Sequence, residues 1–152
     1  MSGEGHWAQV LYDYLNDTGT DDQRVIQFIR DSVPNDEGRL ADNKRKMFIG
    51  ADSNRIEKER EYDLVRHICA LANVQDNQDY RYLFIGFGND RGLIGIDNWQ
   101  SKGGKDIYEI DDVEIQNIID DSLEPSPVVE RYRLDYDGKK AVILAITNRD
   151  PP

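Results

Sequence analysis

One cysteine, Cys69, stands in a chain of 152 residues. An internal disulfide is therefore excluded, and so is a zinc site built on several thiolates. Cys69 is read as a core residue, and the cytoplasm is the expected location. No apolar run approaches the roughly 20 residues of a membrane-spanning helix. The opening residues Met1-Ser2-Gly3-Glu4-Gly5 lack the basic-then-apolar layout of a secretory signal, so no membrane partner is expected. Positive charge is scarce as well. Nineteen Lys and Arg face 30 Asp and Glu, for a formal net charge of −11, and the pI is about 4.6. This weighs against a general nucleic-acid binder, because phosphate contacts need clustered Lys and Arg. A local basic groove stays compatible with it, since acidic surface elsewhere discourages non-specific binding. Ordinary acidic solubility and a salty cytoplasm both account for the excess of aspartate. No internal repeat or low-complexity segment is present.

What the chain does have is a central stretch, Tyr82 to Ile96, around which the rest is arranged. Tyr82 to Phe87 is apolar on both parities and suits a strand buried on both faces. Asn89-Asp90-Arg91-Gly92 is turn chemistry. Leu93 to Ile96 reads as the returning strand of a hairpin. Gly86 and Gly95 fall inside these runs, where glycine implies that a packed helix or a ligand approaches the backbone closely.

Before this stretch, His6 to Asp17 carries Trp7, Val10, Leu11, Tyr14 and Leu15 at helical spacing. Thr20-Asp21-Asp22-Gln23 has the form of a capping box. A second helix then runs to about Ser32, with Val25, Ile26 and Ile29 on one face, and Pro34 stops it. These form an N-terminal helical hairpin, residues 1–34, laid against a main body of residues 35–152, with one compact unit expected. Glu37 to Gly50 holds one or two irregular strands. Residues 56–73 form a helix with more than one apolar stripe, buried against a sheet, and 74–79 form a polar loop. After the central stretch come a loop over 97–106 and a helix from Asp111-x-x-Glu114 to Leu123, with Val113, Ile118 and Ile119 inward. Val128 to Tyr136 alternates like a half-exposed strand. Asp137-Gly138 is a strong hairpin turn. Lys140 to Thr147 returns as a central strand, and Asn148 to Pro152 reads as an exit toward further chain. The expected class is α+β, with a mixed or antiparallel sheet built from β-hairpins and packed helices, its strands at 82–87, 93–96, 128–136 and 140–147.

Several of these pieces resemble the Schlafen AlbA-like (AlbA_2) family. Cys69-Ala70-Leu71-Ala72-Asn73 is similar to the "AfaN" helix end of that family. Leu83-Phe84-Ile85-Gly86-Phe87 with Asn89-Asp90-Arg91-Gly92-Leu93-Ile94-Gly95 resembles its "liIGV-x-D-x-G-x-ivG" hairpin. Glu37 to Lys44 has the spacing of its "E-x-x-x-x-E-F-K" segment, and the Glu124-Pro125 helix end and the Asp137-Gly138 hairpin also fit. The resemblance covers about residues 37 to 148. The chain departs from the pattern in the polar segment 74–80, where the family has a glycine pair. Asp42 stands for the second glutamate and Asn43 for the phenylalanine.

The resemblance implies a module that binds DNA or RNA. Its candidate contacts are Lys44, Arg45 and Lys46, then Lys102 and Lys105, and Arg131 and Arg133 on the exposed strand face. Lysine and arginine would attract phosphate, and Trp99 would stack on a base. It also implies an alternative, a divalent-metal-dependent endoribonuclease. There Glu37, Asp42 and Asp90 (or Asn89) would hold magnesium or manganese, and Lys44 would neutralise developing charge at the phosphate. The binding reading needs no cofactor. The helical hairpin and the acidity suit a third reading, a protein-interaction domain or homodimer.

Overall fold

A strand that is apolar on both faces needs a cover on each, and this sheet has two. The structure is a computed structural model that describes residues 6–33, 41–44, 48–49, 55–72, 80–88, 90–95, 105–106, 108 and 111–147. The elements are α1 (His6–Leu15), α2 (Asp22–Ser32), β1 (Ala41–Lys44), β2 (Phe48–Ile49), α3 (Arg55–Ala72), β3 (Arg81–Ile85), β4 (Lys105–Asp106), α4 (Asp112–Ser122), β5 (Val128–Tyr136) and β6 (Lys139–Thr147). None of the described helices is long and apolar enough to cross a membrane.

The main sheet has the order β1-β3-β6-β5. β1 runs parallel to β3, while β3–β6 and β5–β6 are antiparallel. The fold is therefore α+β with a mixed sheet. A parallel neighbour needs a crossover connection, and α3 lies on the path from β1 to β3. β2 and β4 form a separate two-stranded ribbon.

One face of the sheet buries Leu83, Ile85, Val129, Val142, Leu144 and Ile146 under Leu64, Val65, Ile68 and Leu71 of α3 and Ile115 and Ile119 of α4. The other buries Tyr82, Phe84, Leu134, Ala141, Ile143 and Ala145 under Trp7, Ala8 and Leu11 of α1 and Val25 and Ile29 of α2. The two N-terminal helices also pack on each other, with Tyr14 and Phe28 edge to face at 5.1 Å. The doubly apolar runs in β3 and β6 are thus the central layer of three.

Several local expectations are corrected. No strand forms at 93–96 among the described residues; Leu93 makes a single bridge to Phe87. Gly86 ends β3 at φ +95°, and its carbonyl accepts from both Ile94 N–H (2.9 Å) and Gly95 N–H (2.8 Å), which closes a tight loop instead of a ladder. The element packed closely on these glycines is a strand, not a helix. A Cβ on Gly86 would lie 3.1 Å from the Ala141 Cβ, and one on Gly95 would lie 3.2 Å from the Lys139 Cβ, so strand β6 is what approaches them.

Helix α2 is capped by Asp21, whose Oδ1 accepts the Arg24 N–H (2.9 Å). Thr20 instead joins the interhelical turn, donating its hydroxyl to Asp17 (3.1 Å). Asp111 begins α4 without a side-chain cap bond; Asp112 and Glu114 in the first turn supply favourable charge at that end. Val113 is 71% exposed, and Ile115 and Ile119 form the buried stripe. Cys69 is half-buried, not fully enclosed. The Asp137-Gly138 turn forms as read, both residues taking positive φ (55° and 74°), which matches the right-handed twist of the flanking strands.

Candidate nucleic-acid interface

Register decides which of the candidate residues meet. Lys44 pairs with Ile85, Ile85 with Val142, and Val142 with Arg133. Lys44 and Arg133 therefore occupy the two ends of one row across the sheet. Three strand spacings separate them, roughly 14 Å. The same end of the sheet carries the loop that follows Gly86 and the start of β6 with Lys139 and Lys140.

β4 adds a second approach. Lys105 pairs with Ile49 and Asp106 with Phe48. Phe48 follows Lys44 by four residues, a reach of at most roughly 14 Å. The backbone thus draws the segment bearing Lys105 toward the segment bearing Lys44. Glu37, Arg45, Lys46, Asn89, Trp99 and Lys102 lie outside the described residues.

On β5 the two arginines differ. Arg131 was expected on an exposed face, but its side chain is only 5% exposed and pairs with Asp112 (3.1 Å). The reason is α4, which packs beside β5 and brings Asp112 over the strand. Arg133 is exposed, as expected. Its Nε donates to the Tyr108 carbonyl (2.6 Å) while its guanidinium lies 5.5 Å from the Tyr108 ring centre. Lys140 Nζ stands 5.1 Å from the same ring. Arg131 also reaches the Tyr108 carbonyl, at 3.4 Å. Three cations therefore gather on one tyrosine, which orients them through ring and carbonyl together. Sequence reasoning missed Tyr108 and Lys140. Strand parity carried a signal for Lys140, which lies on the same face of β6 as Val142. A lone tyrosine in a connecting segment carried none.

The acidic candidates are arranged differently. Asp90 is exposed in the loop, and its Oδ1 accepts the Gly92 N–H (2.9 Å), so one oxygen is used in holding the turn. Gly88 N–H donates to the Gly92 carbonyl (2.9 Å) and Arg91 N–H to the Gly88 carbonyl (3.0 Å). Arg91 takes φ +65° and is buried with its guanidinium 5.3 Å from the Phe84 ring centre. Asp42 pairs with Leu83, two residues before the end of β3. A shared divalent ion needs several oxygen ligands at about 2.0–2.6 Å. Among the described residues, no group of three His, Cys, Asp or Glu side chains forms such a cluster.

A further polar cluster lies where α1 meets β5. Tyr12 donates to Glu130 Oε1 (2.8 Å), and Tyr132 contacts Asn16 (3.1 Å) and Glu130 Oε2 (3.2 Å). Tyr80 stacks on Tyr12 at 3.9 Å. Burial first, and then the Glu130 carboxylate, raise the Tyr12 hydroxyl above its ordinary pKa. Burial likewise raises Tyr82, which donates to the Ala8 carbonyl, and Tyr132. These groups stay neutral and serve as ties between layers.

The family model described as Schlafen, AlbA_2 matches residues 37–152. The match takes in every strand, α3, α4 and the whole candidate interface, and the chain belongs to that family. No curated protein and no solved structure matched it.

Proposed function

We propose that this member of the Schlafen AlbA_2 family is a nucleic-acid-binding module that engages phosphate at the sheet end bearing Lys44, Arg133 and Lys140. The observation that carries the reading is the shared row: Lys44 and Arg133 stand opposite each other across one line of the sheet, with Lys140 beside Arg133 at Tyr108. A chain of net charge −11 repels a polyanion on average. Its attraction must therefore come from a confined positive region, where short range and salt sensitivity go together. Arg133 is already oriented by Tyr108, so little side-chain freedom is lost when it meets a phosphate.

The test is fluorescence anisotropy with labelled single- and double-stranded DNA and RNA over a salt series. Lys44→Ala, Arg133→Ala and Lys140→Ala are each expected to weaken binding. Each lost contact should reduce the slope of log K against log salt by about 0.9 on duplex DNA or about 0.7 on single strands. Arg131→Ala should act mainly on stability, because its charge is already paired with Asp112. Unchanged affinity and slope in the triple variant would sink the proposal.

A further inference from the structure

β5 is one of the two outer strands of the four-stranded sheet and is nine residues long. An edge of that length is a template for pairing with another chain. The two-residue turn fixes which backbone groups face outward. Tyr136 and Lys139 flank it as a hydrogen-bonded pair, so Tyr136, Leu134, Tyr132 and Glu130 turn inward to β6. Val129, Arg131, Arg133 and Asp135 turn their N–H and C=O groups to the edge.

Two side chains from opposite layers reach round to meet these groups. Gln116 of α4 accepts the Val129 N–H on its Oε1 (3.0 Å) and donates from Nε2 to the Pro127 carbonyl (2.9 Å). A residue of a parallel neighbouring strand makes this same pair of bonds, one to the carbonyl before and one to the N–H after its partner. The Gln116 carboxamide therefore stands in for a strand. At the other end, Asp22 of α2 accepts the Asp135 N–H on its Oδ2 (2.9 Å). Between the two lie Arg131 and Arg133.

We infer that β5 is a sealed edge, closed at one end by Gln116 and at the other by Asp22, and that these seals keep the chain from associating strand to strand. One seal comes from α2, which lies outside the family-matched residues 37–152. Removing both seals converts the edge into a self-association surface.

The test uses the full chain. Light scattering coupled to size exclusion compares the parent protein with Asp22→Ala/Gln116→Ala at several concentrations. The double variant is expected to reach at least twice the parent's mass. Asp22→Asn, which keeps an acceptor, should leave the mass unchanged. Adding Arg133→Pro to the double variant removes an outward N–H and should restore the parent mass. A double variant that keeps the parent mass overturns the inference. So does association that persists with Arg133→Pro, since it would run through another surface. If the double variant fails to fold by circular dichroism, amide exchange on the parent protein decides. Val129 and Asp135 amides should exchange at least tenfold more slowly than the Arg133 amide, and equal rates would refute the seals.

Discussion

Replacing Gly86 by alanine separates two explanations of why glycine ends β3. Gly86 sits at φ +95°, and an added Cβ would meet the Ala141 Cβ at 3.1 Å, the Lys140 carbonyl oxygen at 3.2 Å and the Ala141 Cα at 3.3 Å. Gly138 also has positive φ, +74°, but nothing lies within 4 Å of its added Cβ. Gly138→Ala therefore reports backbone strain alone, about 1–2 kcal/mol. Gly86→Ala adds a crowding cost of about 1–3 kcal/mol, because two of its three close neighbours are strand backbone and cannot rotate away. The expected loss is about 2–5 kcal/mol for Gly86→Ala. Urea denaturation of both variants, followed by far-UV circular dichroism, reads the difference. Equal losses would show that β6 does not approach Gly86 as described. Full stability in Gly86→Ala with loss of oligonucleotide binding would mean that the glycine serves a ligand instead.

Three further outcomes follow from the packing. Tyr12 and Tyr82 hold their protons more tightly in the folded chain than in the unfolded one, chiefly through burial. Their contribution is complete below the unfolded value of about 10 and is lost as pH rises above it; Tyr12→Phe should flatten the fall of melting temperature measured between pH 9.5 and 11, roughly the onset of that window. Asp21→Ala should cost about 1 kcal/mol in urea unfolding, as the loss of an N-cap does, and more than Thr20→Ala. A chain beginning at residue 35 would lose the cover given by Trp7, Leu11, Val25, Ile29 and Val33. At about 1.5–3 kcal/mol for each large side chain this rivals a whole domain's stability of about 5–15 kcal/mol, so the truncated chain should bind the dye ANS and lack a cooperative melt.

Much of the fold was legible because burial imposes period. Leu64, Val65, Ile68 and Leu71 marked a wide helical face, and α3 buries all four. β5 was legible from alternation, β6 from a run apolar on both parities, and the turn between them from Asp137-Gly138. The errors arose where one local pattern serves two structures. Gly86-x-x-x-x-x-Gly92 with a following apolar run describes a hairpin, but it equally describes a closed loop once Gly86 takes φ +95°. Val113 and Ile115 are both apolar residues near the start of α4, and only the position of the sheet decides which one turns inward. Asp21 and Thr20 are both competent caps, and the turn built on Asp17 decides between them.

The candidate interface was less legible, for a topological reason. Lys44 and Arg133 were both singled out, but nothing local connects residues so far apart in sequence. Their shared row depends on β1 being the parallel neighbour of β3. The hairpin reading gave that neighbour's place to residues 93–96, which would have pushed Lys44 away from the sheet or to an unknown strand. When the chain after Gly86 closes into a loop instead of pairing as a strand, the edge of β3 is left for β1. The backbone feature that ended a strand is therefore also what admits Lys44 to the row. The same loop leans on Lys139 and Ala141, which fixes the start of β6 and with it the position of Lys140 beside Tyr108. A single glycine conformation thus acts on two of the three cations proposed to meet phosphate. By this argument, damage to Gly86 should weaken oligonucleotide binding only together with stability.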